Sequence, residues 1–260
     1  MYQDILQKIF DLVESRTGYI VSVSSNDDLQ TTASMITASP SNPTHLICIN
    51  PKFDRASTYL VALQCYMLLE KWADDGIVYH FVSKKHDIDY QIKKVIKKIK
   101  ANIPDDIKEN IAYKIVTGLL QQVNSFPCEM FATEICYNDH ISLREEQSWI
   151  INQQLRMNAT SLDPDIRKIM PPDIFKKNAT MNAAYALWWS RLSNDSSVIV
   201  PYKVADYMGQ GEELFTIIEN NKNLNINRYQ YTVDAWAEKL QFTDCYEWIK
   251  KKDNNATIKY

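Results

Sequence analysis

Five glycines in 260 residues leave this chain few places where the backbone takes a positive φ without steric cost. That scarcity argues against sandwiches built on many tight turns and against glycine-rich loops that wrap phosphate groups. The apolar residues recur instead mainly at helical spacing. A predominantly α-helical α+β fold is therefore expected, with a small N-terminal sheet and helices followed by a helical C-terminal region.

The elements follow from local pattern. Residues 2–16 place Ile5, Ile9, Phe10, Leu12 and Val13 on one helical face, and Gly18 supplies the stop. GYIVSVSS (18–25) alternates like a half-buried strand, TTASMITA (31–38) suits either a strand or a helix, and HLICIN (45–50) is a second strand. A helix follows to about Trp72, with Asp54 or Ser57 as its expected cap, and IVYHFVS (77–83) is a further strand. Beyond it helices are expected near 87–101, 105–122, 127–138, 142–158, 172–192, 210–220, 232–240 and 243–251. Several prolines fall at these boundaries, where a missing N–H does little harm. The division expected is an α+β region over 1–104 and a helical region over 105–260. No flexible linker separates them, so one compact unit is expected.

Hydrophobic residues make up 45% and charged residues 23% of the chain, a composition able to bury a sizeable core. A net charge of −3 does not mark the whole protein as a nucleic-acid binder. The N-terminal segment is amphipathic, unlike a secretory leader, and no apolar run is long enough for a membrane span. Five scattered cysteines point to buried, reduced thiols and a cytoplasmic setting.

The helix after HLICIN contains ALQCYMLL (62–69). In order and apolar frame it resembles the site helix of zincin-like metallopeptidases of the ImmA/IrrE type, whose H-E-x-x-H places two histidines four residues apart on one face. The resemblance implies that Leu63 and Met67 occupy the histidine positions and Gln64 the position of the general base. Leucine cannot bind zinc, a thioether is a poor ligand for it, and a neutral amide cannot take a proton. The second helix of that fold, which carries an acidic ligand, is similar to NSFPCEMFATEICY (124–137). It implies Glu134, or else Glu129, as the acidic counterpart. The vestigial positions are then Leu63, Gln64, Met67 and Glu134. The plainer alternative is a buried amphipathic helix using Leu60, Val61, Leu63, Met67, Leu68 and Trp72 as core.

No other motif is complete. His80 and His86, and the His86–Asp87–Asp89 group, match no common zinc or iron spacing. The cysteines form no C-x-x-C pair, and P-loop, G-x-S-x-G and G-x-G-x-x-G patterns are missing. MGQGEE (208–213) fits a turn and helix start. Residues 84–100 carry seven lysines against two aspartates. An apolar stripe through Ile88, Ile92, Val95, Ile96 and Ile99 leaves Lys93, Lys94, Lys97, Lys98 and Lys100 outward. That face is a solvated surface or a contact for an anion or an acidic partner. MNAAYALWWSRL (181–192) suits close helix packing or a homo-oligomer interface.

No catalytic residue, metal site or cofactor is assigned. The expectation is a bacterial, cytoplasmic, non-catalytic binding or regulatory protein with a protein partner. Two alternatives stay open. One is a hydrolase assembled from distant residues, with Glu129, Glu134, His45 and His86 as first suspects. The other is a nucleic-acid-associated protein using the Lys93–Lys100 helix.

Overall fold

The structure, a computed structural model, describes residues 2–72, 77–99, 103–224 and 227–252. Lys100 and the sequence beyond 252 lie outside the described residues. Helix α1 (Tyr2–Thr17) buries Ile9 and Val13 and ends where Gly18, at φ 77°, lets its N–H reach the Glu14 carbonyl at 2.8 Å. Three strands follow: β1 (Ile20–Ser25), β2 (Ala33–Ile36) and β3 (Thr44–Ile49). The ambiguous 31–38 segment thus supplies a strand. The order is β1-β3-β2, with β1 parallel and β2 antiparallel to β3. On the central strand Ile47 and Ile49 are buried. On the edge strand β1, Val21 is half-buried while Ile20 and Val23 stay exposed.

A 3-10 turn, Pro51–Ala56, opens on Asn50, whose side chain accepts the Lys52 N–H at 3.0 Å and donates to the Leu29 carbonyl at 2.7 Å. Helix α2 (Ser57–Lys71) begins directly after it. The expected caps fail: neither Asp54 nor Ser57 caps this helix. The carboxylate of Glu146, far along the chain, accepts the Tyr59 N–H at 2.8 Å and so satisfies a donor that the first turn leaves orphaned. Tyr59 to Leu63, Cys65, Tyr66 and Leu68 are all buried, so α2 is wrapped on most sides rather than amphipathic. Gln64 and Met67 remain half-buried.

Strand β4 (Ile77–Ser83) and helix α3 (Lys85–Lys98) lead to α4 (Asp105–Asp139), 35 residues long and so about 52 Å. The local pattern predicts two separate helices here, broken before Pro127. Instead Pro127 sits buried inside one continuous helix. The lost backbone hydrogen bond and the ring's clash with the carbonyl one turn back together cost roughly 3 kcal/mol. That cost is offset because buried residues surround the proline, with Phe126, Cys128, Met130, Phe131 and Ala132 all in the core. Helix α3 lays Ile88, Ile92 and Val95 against this core, each contributing about 1.5–3 kcal/mol of burial.

The remaining elements are α5 (Arg144–Thr160), α6 (Pro164–Ile169), α7 (Pro172–Ser193), α8 (Val200–Val204), α9 (Met208–Asn221), α10 (Arg228–Leu240) and β5 (Tyr246–Lys252). The helix expected at 243–251 is thus a 3-10 turn followed by a strand. β5 pairs antiparallel with β4, from Ile77↔Lys252 to Ser83↔Tyr246. Phe81 stacks on Tyr246 at 4.3 Å and meets Trp248 edge-on at 5.5 Å. Trp188 and Trp189 lie in the chain's own core, where the Trp189 indole N–H donates to Asn152 Oδ1 at 3.2 Å. The small residues of α7 let α9 come close: a Cβ at Gly211 would lie 2.7 Å from that of Ala183. The fold is α+β and mostly helical, with sheets of three and two strands. Among the described residues no helix is long and apolar enough to cross a membrane.

Candidate functional site

One flank of α2 is not closed by packing. Leu63, Gln64 and Met67 form a wall of a cleft of about 500 Å³. Residues Thr31–Ala33 at the start of β2 edge it, and the facing walls come from α4 and α5. Leu63 and Met67 share this wall because residues four apart fall on one helical face. Apolar contact in the cleft comes also from Leu60, Phe126, Ile150 and Ile151, while amides from Gln121, Gln122, Gln153, Gln154 and Asn158 line the rest.

Among the described residues the single carboxyl in the lining is Glu129 on α4, and no lysine, arginine or histidine lines the cleft. Glu129 is half-buried and lines the cleft. Tyr185, reaching in from α7, donates its hydroxyl to Glu129 Oε1 at 2.6 Å, and the Gln154 side chain bonds it from α5. Burial raises the carboxyl's pKa above the ordinary range, and these two hydrogen bonds oppose the shift without cancelling it. Tyr185 itself is held far from ionisation by burial and by the neighbouring carboxyl. Two residues of the lining also carry a buried amide atom with no hydrogen-bond partner within the protein, the acceptor Gln122 Oε1 and the donor Asn158 Nδ2, neither of them open to the cleft.

The chemistry open to this arrangement is narrow. Leu63, Gln64 and Met67 do not fit a zinc ion, and among the described residues no group of three or more His, Cys, Asp or Glu is placed to hold a metal. Ser125 lines the cleft, whose described lining contains no histidine. Cys128 donates its thiol to the Met67 carbonyl at 3.4 Å, and burial pushes its pKa up to about 12, which leaves it unreactive. Through its described lining the cleft can bind with amides and one carboxyl.

The proposed hydrolase residues are not brought together. His45 is buried beneath the sheet: its Nδ1 accepts the Ala38 N–H at 2.9 Å, so Nε2 carries the proton toward Thr17 Oγ1 at 3.1 Å. His86 is 96% exposed beside Asp87. Glu134 does not line the cleft, since five residues along α4 turn it roughly 140° away from Glu129. Its charge instead acts on Lys222 and Arg228. His140, at the end of α4, meets the Tyr66 hydroxyl at 2.8 Å.

Of the lysines, Lys98 pairs with Asp173 at 2.9 Å and Lys94 lies 4.1 Å over the Tyr90 ring, while Lys93 and Lys97 point to solvent. A second cleft, of about 440 Å³, adjoins the end of α2 and the start of α10. Its Arg228 fork is closed on Glu70.

Glu129 is a residue that the sequence proposes, whereas Tyr185, Gln154, Gln122 and Asn158 escape sequence reasoning. A signal was available in the paired glutamines 121–122 and 153–154, amides set into otherwise apolar helices. Compared with family models, curated proteins and solved structures, the chain matches none.

Proposed function

We propose that this is a non-catalytic binding or regulatory protein that acts through protein–protein contacts, with the α2 cleft as its recognition site. In the same proposal the domain is peptidase-like with a lost metal site, and it works in the bacterial cytoplasm. The observation that carries the reading is the wall formed by Leu63, Gln64 and Met67. Where two zinc ligands and a general base would stand on one helical face, there are two apolar side chains and a neutral amide. The cleft they border is nevertheless kept open and furnished with hydrogen-bonding groups. Five buried, unpaired cysteines suit a reducing compartment. Elemental analysis of protein purified without added zinc tests the reading. Well under a tenth of an equivalent is expected, and a stoichiometric, chelator-sensitive zinc would overturn it.

A further inference from the structure

Resting on that reading, we propose that the α2 cleft receives a lysine or arginine side chain from an extended segment of a partner protein, with the Glu129 carboxylate as its counter-ion.

Two observations converge on this chemistry. First, among the described residues the lining holds one carboxyl and no cation, so an incoming positive charge meets no like charge there. Second, the lining includes the apolar side chains of Leu63, Met67 and Phe126, which suit the methylene stem of a basic side chain better than a compact inorganic cation. The amides of the lining offer donors and acceptors to the peptide backbone that carries it.

Binding and protonation are coupled through Glu129. In the unliganded protein, burial favours the neutral acid, and an arriving cation favours the carboxylate. The ionisable groups packed about Glu129 are Tyr185 from α7, Tyr59 from α2 and Cys128 on α4 itself. All three are held well above neutrality by burial, and Gln154 does not titrate, so of these groups Glu129 is the one whose charge an arriving cation changes. Occupation by a basic side chain therefore releases a proton wherever the free protein holds Glu129 neutral. Affinity rises with pH, tenfold per pH unit at most, until the Glu129 titration point in the free protein is passed, and then levels.

The test is calorimetric titration of the full chain with four probes at pH 5 to 8. They are the capped tripeptides Ala-Lys-Ala and Ala-Arg-Ala, the same peptide with norleucine at the centre, and n-butylammonium. The basic peptides are expected to bind at least tenfold more tightly than the norleucine peptide, with affinity rising with pH. Glu129→Gln should erase both differences, so that the basic and norleucine peptides bind alike at every pH. Equal binding of the norleucine and lysine peptides would overturn the counter-ion role and leave the protein-recognition reading standing. Butylammonium binding as tightly as the lysine peptide would overturn the peptide source. If no probe binds, both fail. Circular dichroism of the Glu129→Gln protein at each pH separates loss of binding from loss of fold.

Discussion

Replacing Glu129 by glutamine changes how stability depends on pH, with a sign set by burial. The folded-state pKa of this carboxyl lies above its usual 4.5, so the folded protein holds the proton more tightly than the unfolded chain does. Its contribution is fully present below about pH 4.5 and is lost as pH rises through the folded-state titration point. Each pH unit crossed in that window removes about 1.4 kcal/mol from the wild type. The substituted amide keeps an oxygen to accept from Tyr185 and does not titrate. The stability difference between the two proteins should therefore move in favour of the glutamine variant as pH rises from 4.5, then become constant. The other shifted carboxyls, Glu146, Asp173 and Asp195, are common to both proteins and cancel in the difference. Urea unfolding of both proteins at half-unit steps from pH 4 to 8 measures the slope directly. In thermal unfolding the same window corresponds to about 3–6 °C per pH unit, at about 2–4 °C per kcal/mol for a chain near this size. Tyr185→Phe removes a hydrogen bond that favours the ionised form, so it should extend the sloping window to higher pH. A stability difference that is flat from pH 4 to 8 would refute the reasoning, because Glu129 would then ionise as it does in water.

Other consequences follow from packing. Glu146→Ala strips α2 of its borrowed cap and should cost about 0.5–2 kcal/mol in urea unfolding; no loss would mean that water serves the Tyr59 N–H equally well. Gly211→Ala drives a Cβ to 2.7 Å from that of Ala183 and 3.0 Å from its backbone, and should cost about 1–3 kcal/mol. Gly209→Ala, with nothing within 4 Å, should stabilise by about 0.4–1 kcal/mol; equal effects at the two sites would contradict the close approach of α9 to α7. Cys65 and Cys128 are buried thiols pushed up to about 12, so an aromatic disulfide reagent at pH 8 should label them only after unfolding.

What could be seen in the sequence was what local chemistry decides. The i, i+4 relation of Leu63 and Met67 put both on one face before any fold was known, and the φ 77° stop at Gly18 was legible from residue type alone. The amphipathic face of α3 was legible for the same reason. Strand β5 was not, because its identity depends on a partner more than 160 residues earlier. Tyr246 and Trp248 alternate with Glu247 and Ile249 as a strand requires, but the segment is short and a helix was equally consistent with it. Pro127 misled because proline penalises a helix locally, whereas the burial that keeps α4 continuous is tertiary. The α2 cap was missed on similar grounds, since Glu146 stands 87 residues from Tyr59. The site divides in the same way. Its α2 wall is local, while Glu129, Tyr185 and Gln154 meet only when three helices pack together.

The most direct test of the central claim is a crystal structure of the protein with the capped lysine tripeptide at pH 7.5. The account predicts the peptide in the α2 cleft, its ammonium nitrogen about 2.7–2.9 Å from a Glu129 carboxylate oxygen and its methylene stem against Leu63 and Met67. A peptide seated against Glu70 in the second cleft, with the α2 cleft free of it, would contradict the account.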